Sequence, residues 1–219
     1  MDEAQATPRP PETAEFGLVT VGGPIHDYPA DAAFRVRKVA VGPYENNVYA
    51  IVSGHEALIV DGADEPERIL DLVEGLTVTA IVQTHNHGDH VQALPALLEA
   101  LHAPVYAHPE DPPPVEFTPI GEGDAVSAGD VSLTALHTPG HTPGSVCYTL
   151  GGFLFSGDTL FPAGPGRTDG PDRFAEIMGT LDRLFADFPD ETRVCPGHGI
   201  DTTIGRERPY VETWRGRGW

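Results

Sequence analysis

From residue 34 onward the chain is punctuated by short apolar stretches separated by Gly-, Pro- and Asp-rich turns. Segments 34–41, 47–52 and 57–61 read as strands, the last two joined through Ser53-Gly54-His55-Glu56 as a hairpin, so the sheet begins antiparallel. Ile69, Leu70, Leu72, Val73 and Leu76 recur at helical spacing within 67–76, and 78–83 is a β-branched run suited to a buried strand. Leu94, Leu97, Leu98 and Leu101 predict a helix over 91–102, followed by a short strand at 105–107 and a Pro112-Pro113-Pro114 loop. The second half repeats the order. Strands are predicted at 125–127, 131–136, 145–150 and 153–156, a helix at 172–188, and a strand at 192–195 that stops at Pro196-Gly197. A terminal helix within 206–219 is expected to pack Trp214 and Trp219 against the fold.

Two sheet halves, each flanked by helices, imply an α/β protein with a four-layer αββα sandwich, although pattern alone equally allows another α/β arrangement. A length of 219 residues suits one compact domain, taken as 16–219. Residues 1–15 are polar and proline-rich and are set aside as a flexible arm.

The formal net charge of −20 argues against broad contact with nucleic acid or an anionic membrane, which rests on clustered Lys and Arg. No apolar run reaches membrane length, and the first residues lack the features of a secretory signal. The two cysteines, Cys147 and Cys195, lie outside any CxxC pattern, so no disulfide framework is indicated and a reducing cytoplasm is the expected location. Both read as small buried residues. No oligomeric state is assigned.

The chemistry concentrates in Thr84-His85-Asn86-His87-Gly88-Asp89-His90, directly after an apolar strand. Imidazole nitrogens and carboxylate oxygens are ligands for zinc and similar cations, and Gly88 lets the backbone bend to converge them. If the backbone stays extended, His85 and His87 point the same way and can share one ion, leaving Asp89 and His90 for another. These side chains do not fill two coordination shells. Further candidates follow strands and are flanked by glycine: His141 in Thr138-Pro139-Gly140-His141-Thr142-Pro143-Gly144-Ser145, Asp158 in Ser156-Gly157-Asp158-Thr159, and His198 in Pro196-Gly197-His198-Gly199. His26, His55, His102, His108 and His137 are set aside as loop histidines, with His108 and His137 near enough in sequence to orient a ligand.

In this order the residues resemble the metallo-β-lactamase superfamily, whose His-x-His-x-Asp-His pattern with a later His, Asp and His is met at every position. The resemblance covers about residues 34–205. It implies the αββα sandwich and two divalent metal ions, expected to be zinc, with iron or manganese as alternatives. It assigns His85, His87 and His141 to one ion, Asp89, His90 and His198 to the other, and Asp158 as the bridge.

Two cations can share a hydroxide that attacks a carbonyl carbon, with Asp89 positioning that nucleophile or accepting its proton. A small-molecule thioester is the expected substrate, since a thiolate leaves with little protonation; esters and lactones are alternatives. Segments 138–145, Gly166-Arg167-Thr168-Asp169 and Pro196-Gly197-His198-Gly199 resemble the hydroxyacylglutathione hydrolases (glyoxalase II), most closely their short single-domain relatives. The competing reading within the superfamily is a persulfide dioxygenase holding one iron. That family is similar except for Asp-Tyr after the last histidine and Cys before Gly-Arg-Thr-Asp, where this chain has Gly199-Ile200 and Pro165. A non-enzymatic flavin or protein partner is a third reading, without a visible flavin-binding extension. Arg167 is read either as a substrate anchor or as an ion-pair partner of Asp169 or Asp172.

Overall fold

The fold is that of a computed structural model, in which residues 8–29 and 33–218 are described. The first sheet runs β1 (His26–Asp27), β2 (Arg35–Val41), β3 (Asn46–Ser53), β4 (Glu56–Val60), β5 (Thr77–Val82), β6 (Val105–Ala107) and β7 (Thr118–Pro119), adjacent in chain order. The first four strands pair antiparallel, as the hairpin signal predicts, and β5 to β7 add in parallel. Parallel neighbours need crossovers. These carry α1 (Pro66–Leu72) before β5, and α2 (Gly88–Val91) and α3 (Leu94–Leu101) before β6.

The second sheet contains β8 (Ala125–Ala128), β9 (Val131–His137), β10 (Val146–Leu150) and β11 (Phe153–Gly157). A small ribbon, β12 (Leu160–Phe161) with β13 (Gly164–Pro165), and the long helix α4 (Pro171–Asp187) precede β14 (Arg193–Pro196) and β15 (Thr202–Thr203). The sheet order is β15-β14-β11-β10-β9-β8. The chain ends with α5 (Ile204–Glu207) and α6 (Val211–Arg217).

Side-chain alternation explains the layers. In β3, Tyr49 and Ile51 point between the sheets, where they meet Leu133, Tyr148 and Phe155, whereas Val48 and Ala50 point the other way, onto Ile69, Leu72, Leu94 and Leu97. The second sheet turns Cys147, Leu154 and Val194 outward onto Ile177, Leu181 and Leu184 of α4 and Trp214 of α6. Helices, sheet, sheet and helices therefore stack as αββα. Burial on both faces is why these strands read as apolar runs.

Three helices differ from expectation. The helix predicted over 91–102 begins only at Leu94, as α3, because Val91 closes the separate α2 and the Ala93 N–H donates to the Gly62 and Ala63 carbonyls, while Pro95, lacking an N–H, sits in the first turn of α3. The first ends at Leu72 instead of 76, followed by a turn through Gly75 at φ 75°. Near the C-terminus, Pro209 sits in a 3₁₀ turn between α5 and α6; Trp214 is buried, and Trp219 lies outside the described residues. Of the segment set aside as an arm, residues 1–7 lie outside the described residues. The remainder touches the fold: Pro10 is buried, and the Glu15 carbonyl accepts a hydrogen bond from Arg193 (2.9 Å). No helix among the described residues is long and apolar enough to cross a membrane.

Candidate metal centre

All seven side chains singled out from the sequence meet at one edge of the sandwich, at the ends of β5, β11 and β14 and in the loop between β9 and β10. Past β5 the chain bends at Thr84, His87 is extended (φ −64°, ψ 144°), and the backbone turns helical at Gly88, which carries Asp89 and His90. Three groups have donor atoms within 4.8 Å of one another: His85, His87 and His141; His85, His90 and Asp158; and Asp89, His90 and His198.

Asp158 occupies the middle. Its Oδ1 lies 3.5 Å from His90 Nε2, and its Oδ2 lies 3.6 Å from both His141 Nε2 and His198 Nε2. His141 Nε2 is 2.9 Å from His87 Nδ1, and His90 Nε2 is 3.2 Å from His198 Nε2. Such convergence needs small neighbours. A Cβ on Gly197 would lie 2.2 Å from Asp158 Oδ1 and 2.8 Å from the His90 ring, so only glycine fits there.

Hydrogen bonds at Nδ1 fix how four of the imidazoles point. His90 donates Nδ1–H to Asp61 Oδ2 (2.9 Å), His141 to the Arg167 carbonyl (2.7 Å) and His198 to the Tyr44 carbonyl (2.8 Å). The Thr84 hydroxyl donates to Asp61 Oδ2 (2.8 Å) and is therefore free to accept from His85 Nδ1 (3.0 Å). Each of these rings presents an Nε2 lone pair to the centre, the orientation that a metal ligand requires. His85 Nε2 and Asp158 Oδ1 are buried without a hydrogen-bond partner, which is costly unless a cation satisfies them. The donor set thus fits divalent metal ions.

The electrostatics follow from burial. Desolvation holds the His85 pKa well below its ordinary value, and the surrounding histidines add to this; burial also lowers His141. Burial alone would lower His90, but Asp61, Asp158 and Asp89 outweigh it and raise its pKa to about 9. Burial pushes Asp89 up, yet the Asn46 amide, donating to its Oδ2 at 2.9 Å, and His90 leave it below its ordinary value.

The sequence reading missed the supports. Asp61 directly follows β4 at φ 66°, accepts from the Thr84 N–H as well as its hydroxyl, and braces His90; its only sequence signal is an Asp-Gly pair after an apolar strand. The loop carrying His198 is pinned through its carbonyls: Asn47 and Tyr49 donate to Pro196, and Asn47 and Lys38 to Gly199. Lys38 and its partner Asp201 (3.0 Å) are both fully buried. His108 and His137 stack with ring centroids 4.1 Å apart, and His137 donates to the Pro143 carbonyl, bracing the His141 loop. Arg167 contributes its carbonyl. Its side chain is exposed beside Phe174 and Arg217, away from the cavity at His198, and pairs with neither Asp169 nor Asp172 among the described residues. Cys147 and Cys195 are buried, and burial raises the Cys147 thiol to about 11.

Comparison with known proteins agrees with this geometry. An uncharacterised protein of Aquifex aeolicus (strain VF5) is 36% identical over 199 residues, covering 80% of this chain and 94% of that protein. A hydroxyacylglutathione hydrolase of Xylella fastidiosa (strain M12) is 35% identical over 171 residues, 74% of this chain and 64% of the relative. Among solved structures, TTHA1623 in a di-iron-bound form superposes with a TM-score of 0.69 at 37% identity, covering 78% of this chain and 96% of that one. Residues 41–198 match the family model of the metallo-beta-lactamase superfamily, and with the αββα layers and the convergent His and Asp donors they establish that the chain belongs to that superfamily.

Proposed function

We propose that the protein is a binuclear metal-dependent hydrolase that cleaves thioesters by the chemistry of the hydroxyacylglutathione hydrolases. The observation that carries this reading is the pair of buried, unpartnered atoms, His85 Nε2 and Asp158 Oδ1, facing each other's ligand groups. His85, His87 and His141 would hold one ion and Asp89, His90 and His198 the other, with Asp158 placed between the two groups. Zinc is the expected metal, although a His and Asp set also accepts iron, which the di-iron form of TTHA1623 contains. Bound there, divalent cations supply an acidified water and a Lewis acid for the carbonyl oxygen.

The chain's own groups do the rest. Asp89, kept ionised below its ordinary pKa and held by Asn46, takes the proton of the attacking water. A C–O bond forms at the carbonyl carbon, the C–S bond breaks, and sulfur leaves as a thiolate with the bonding pair. The proton held on Asp89 passes to the thiolate, which restores the carboxylate and leaves a carboxylic acid and a thiol as products. The Xylella relative is named for this reaction class.

The test is metal analysis of the purified protein followed by assays with S-lactoylglutathione, aryl thioesters and simple lactones. About two metals per chain and thioester cleavage support the proposal. One iron per chain with oxygen uptake on glutathione persulfide would replace it with a persulfide dioxygenase.

A further inference from the structure

His198 faces two places at once: the donor cluster and a cavity of about 400 Å³ whose walls include Tyr44, Phe161 and Leu18. The Phe161 ring lies 6.3 Å from the His198 ring, and the Tyr44 carbonyl receives the His198 Nδ1–H. The cavity therefore borders the donor cluster through His198, on the side where the part of a substrate beyond its scissile bond would extend.

Its lining is mixed, with apolar and aromatic side chains, among them Leu18, Tyr44, Phe161 and Ile200, beside the charged Arg9, Glu12 and Glu45. Three large hydrophobic side chains are exposed among the described residues: Leu18 (38%), Val21 (40%) and Tyr44 (68%). Two of the three, Leu18 and Tyr44, line this cavity. Apolar surface left open beside a reactive centre marks a binding surface for apolar groups. The charges present do not favour an anion, because Arg9 is outnumbered by Glu12 and Glu45 and the whole chain carries −20.

One wall, supplied by Arg9, Glu12, Leu18 and Val19 of segment 9–19, lies outside the segment that matches the superfamily model. It is nonetheless built into the fold. The Phe16 carbonyl accepts from the Asp201 N–H (2.8 Å), and the Gly17 carbonyl accepts from Lys38 Nζ (2.9 Å). Gly17 is left-handed (φ 62°), and a Cβ there would strike Asp201 Oδ2 at 2.4 Å. Lys38 also donates to the Gly199 carbonyl, so one buried ammonium ties this wall to the loop that presents His198.

We propose that residues 9–19, with Tyr44 and Phe161, form the substrate pocket and that it takes an uncharged apolar or aromatic group, so the preferred substrates are thioesters of uncharged apolar thiols. This rests on the hydrolase reading above and changes its thiol carrier from a peptide bearing carboxylates to an apolar one.

The test compares S-benzyl thiolactate with S-lactoylglutathione, which share an acyl group and differ only in the thiol. Wild-type kcat/KM is expected to be about ten-fold or more higher for the benzyl compound, the scale on which a hydrophobic pocket discriminates. Tyr44→Ala and Leu18→Asp should remove most of that preference through KM, with bound metal unchanged. A parallel titration calorimetry experiment uses S-benzyl thioglycolic amide, an uncleavable thioether, and should show binding by wild type that Leu18→Asp weakens about ten-fold. Preference for S-lactoylglutathione, or variants with unaltered selectivity, overturns the pocket while leaving the hydrolase. Thioether binding lost in Leu18→Asp, with no thioester cleaved, upholds the pocket and removes the hydrolase. Absence of both binding and cleavage removes both.

Discussion

Asp61 Oδ2 accepts the Nδ1 proton of His90 at 2.9 Å while the same carboxylate takes the N–H and hydroxyl of Thr84, one residue before His85. A single buried side chain directly after β4 thus sets the tautomer of one proposed ligand and the backbone position of another. Asp61→Asn tests this. Asparagine tolerates the left-handed φ of 66°, but turning its NH₂ toward His90 would move the imidazole proton to Nε2, where a metal must bind. Metal affinity should fall about 10- to 100-fold, measured by competition with a chromophoric chelator. Unchanged affinity would mean that Asp61 serves the fold alone.

The same contact gives a pH dependence in metal-free protein. His90 titrates at about 9 in the fold against an ordinary 6.5. A raised folded pKa contributes stability that is complete below 6.5 and lost as pH rises through 9. Urea denaturation of the chelator-treated protein should therefore show declining stability over that window, with a shallower decline in Asp61→Asn. A flat profile in the wild type contradicts the assignment.

Asp158→Ala should lower both bound metal and thioester turnover, the latter by a hundred-fold or more, because its two oxygens approach His90 on one side and His141 and His198 on the other. Elemental analysis and initial rates check it, and a variant that keeps both activity and two metals removes the bridge.

Lys38→Met leaves Asp201 buried and without its closest cation, a change that costs about 3–5 kcal/mol. Arg193 at 3.3 Å retains part of the compensation, so the lower end of that range is expected from urea denaturation. A loss below about 1 kcal/mol would show that water reaches the pair.

Neither thiol should react with Ellman's reagent in the native protein, since both are buried and burial raises both thiols, Cys147 to about 11. Both should react after unfolding in guanidinium chloride. Rapid native labelling would contradict the burial of these thiols.

Much of this protein was legible before any coordinates. Strand positions followed from apolar runs such as Val48 to Val52, because a strand buried on both faces leaves few polar positions to confuse the reading. Helix ends were less legible. Pro209 divides a segment expected as one helix, and the start of α3 at Leu94 is set by contacts such as the Ala93 N–H to the Gly62 carbonyl, distant in sequence.

By itself the sequence determined the candidate donors: His85, His87, Asp89, His90, His141, Asp158 and His198 stand out because ligand chemistry restricts residue type and each follows a strand that can hold it still. Only the tertiary structure decided what orients them. Asp61 reaches His90 across two strands, the Tyr44 and Arg167 carbonyls reach His198 and His141 from loops far away in sequence, and Lys38 reaches Gly199 across the sandwich. A hydrogen bond depends on where atoms lie and carries no residue-spacing signature, so backbone carbonyls and lone buried charges stay silent until the chain is folded.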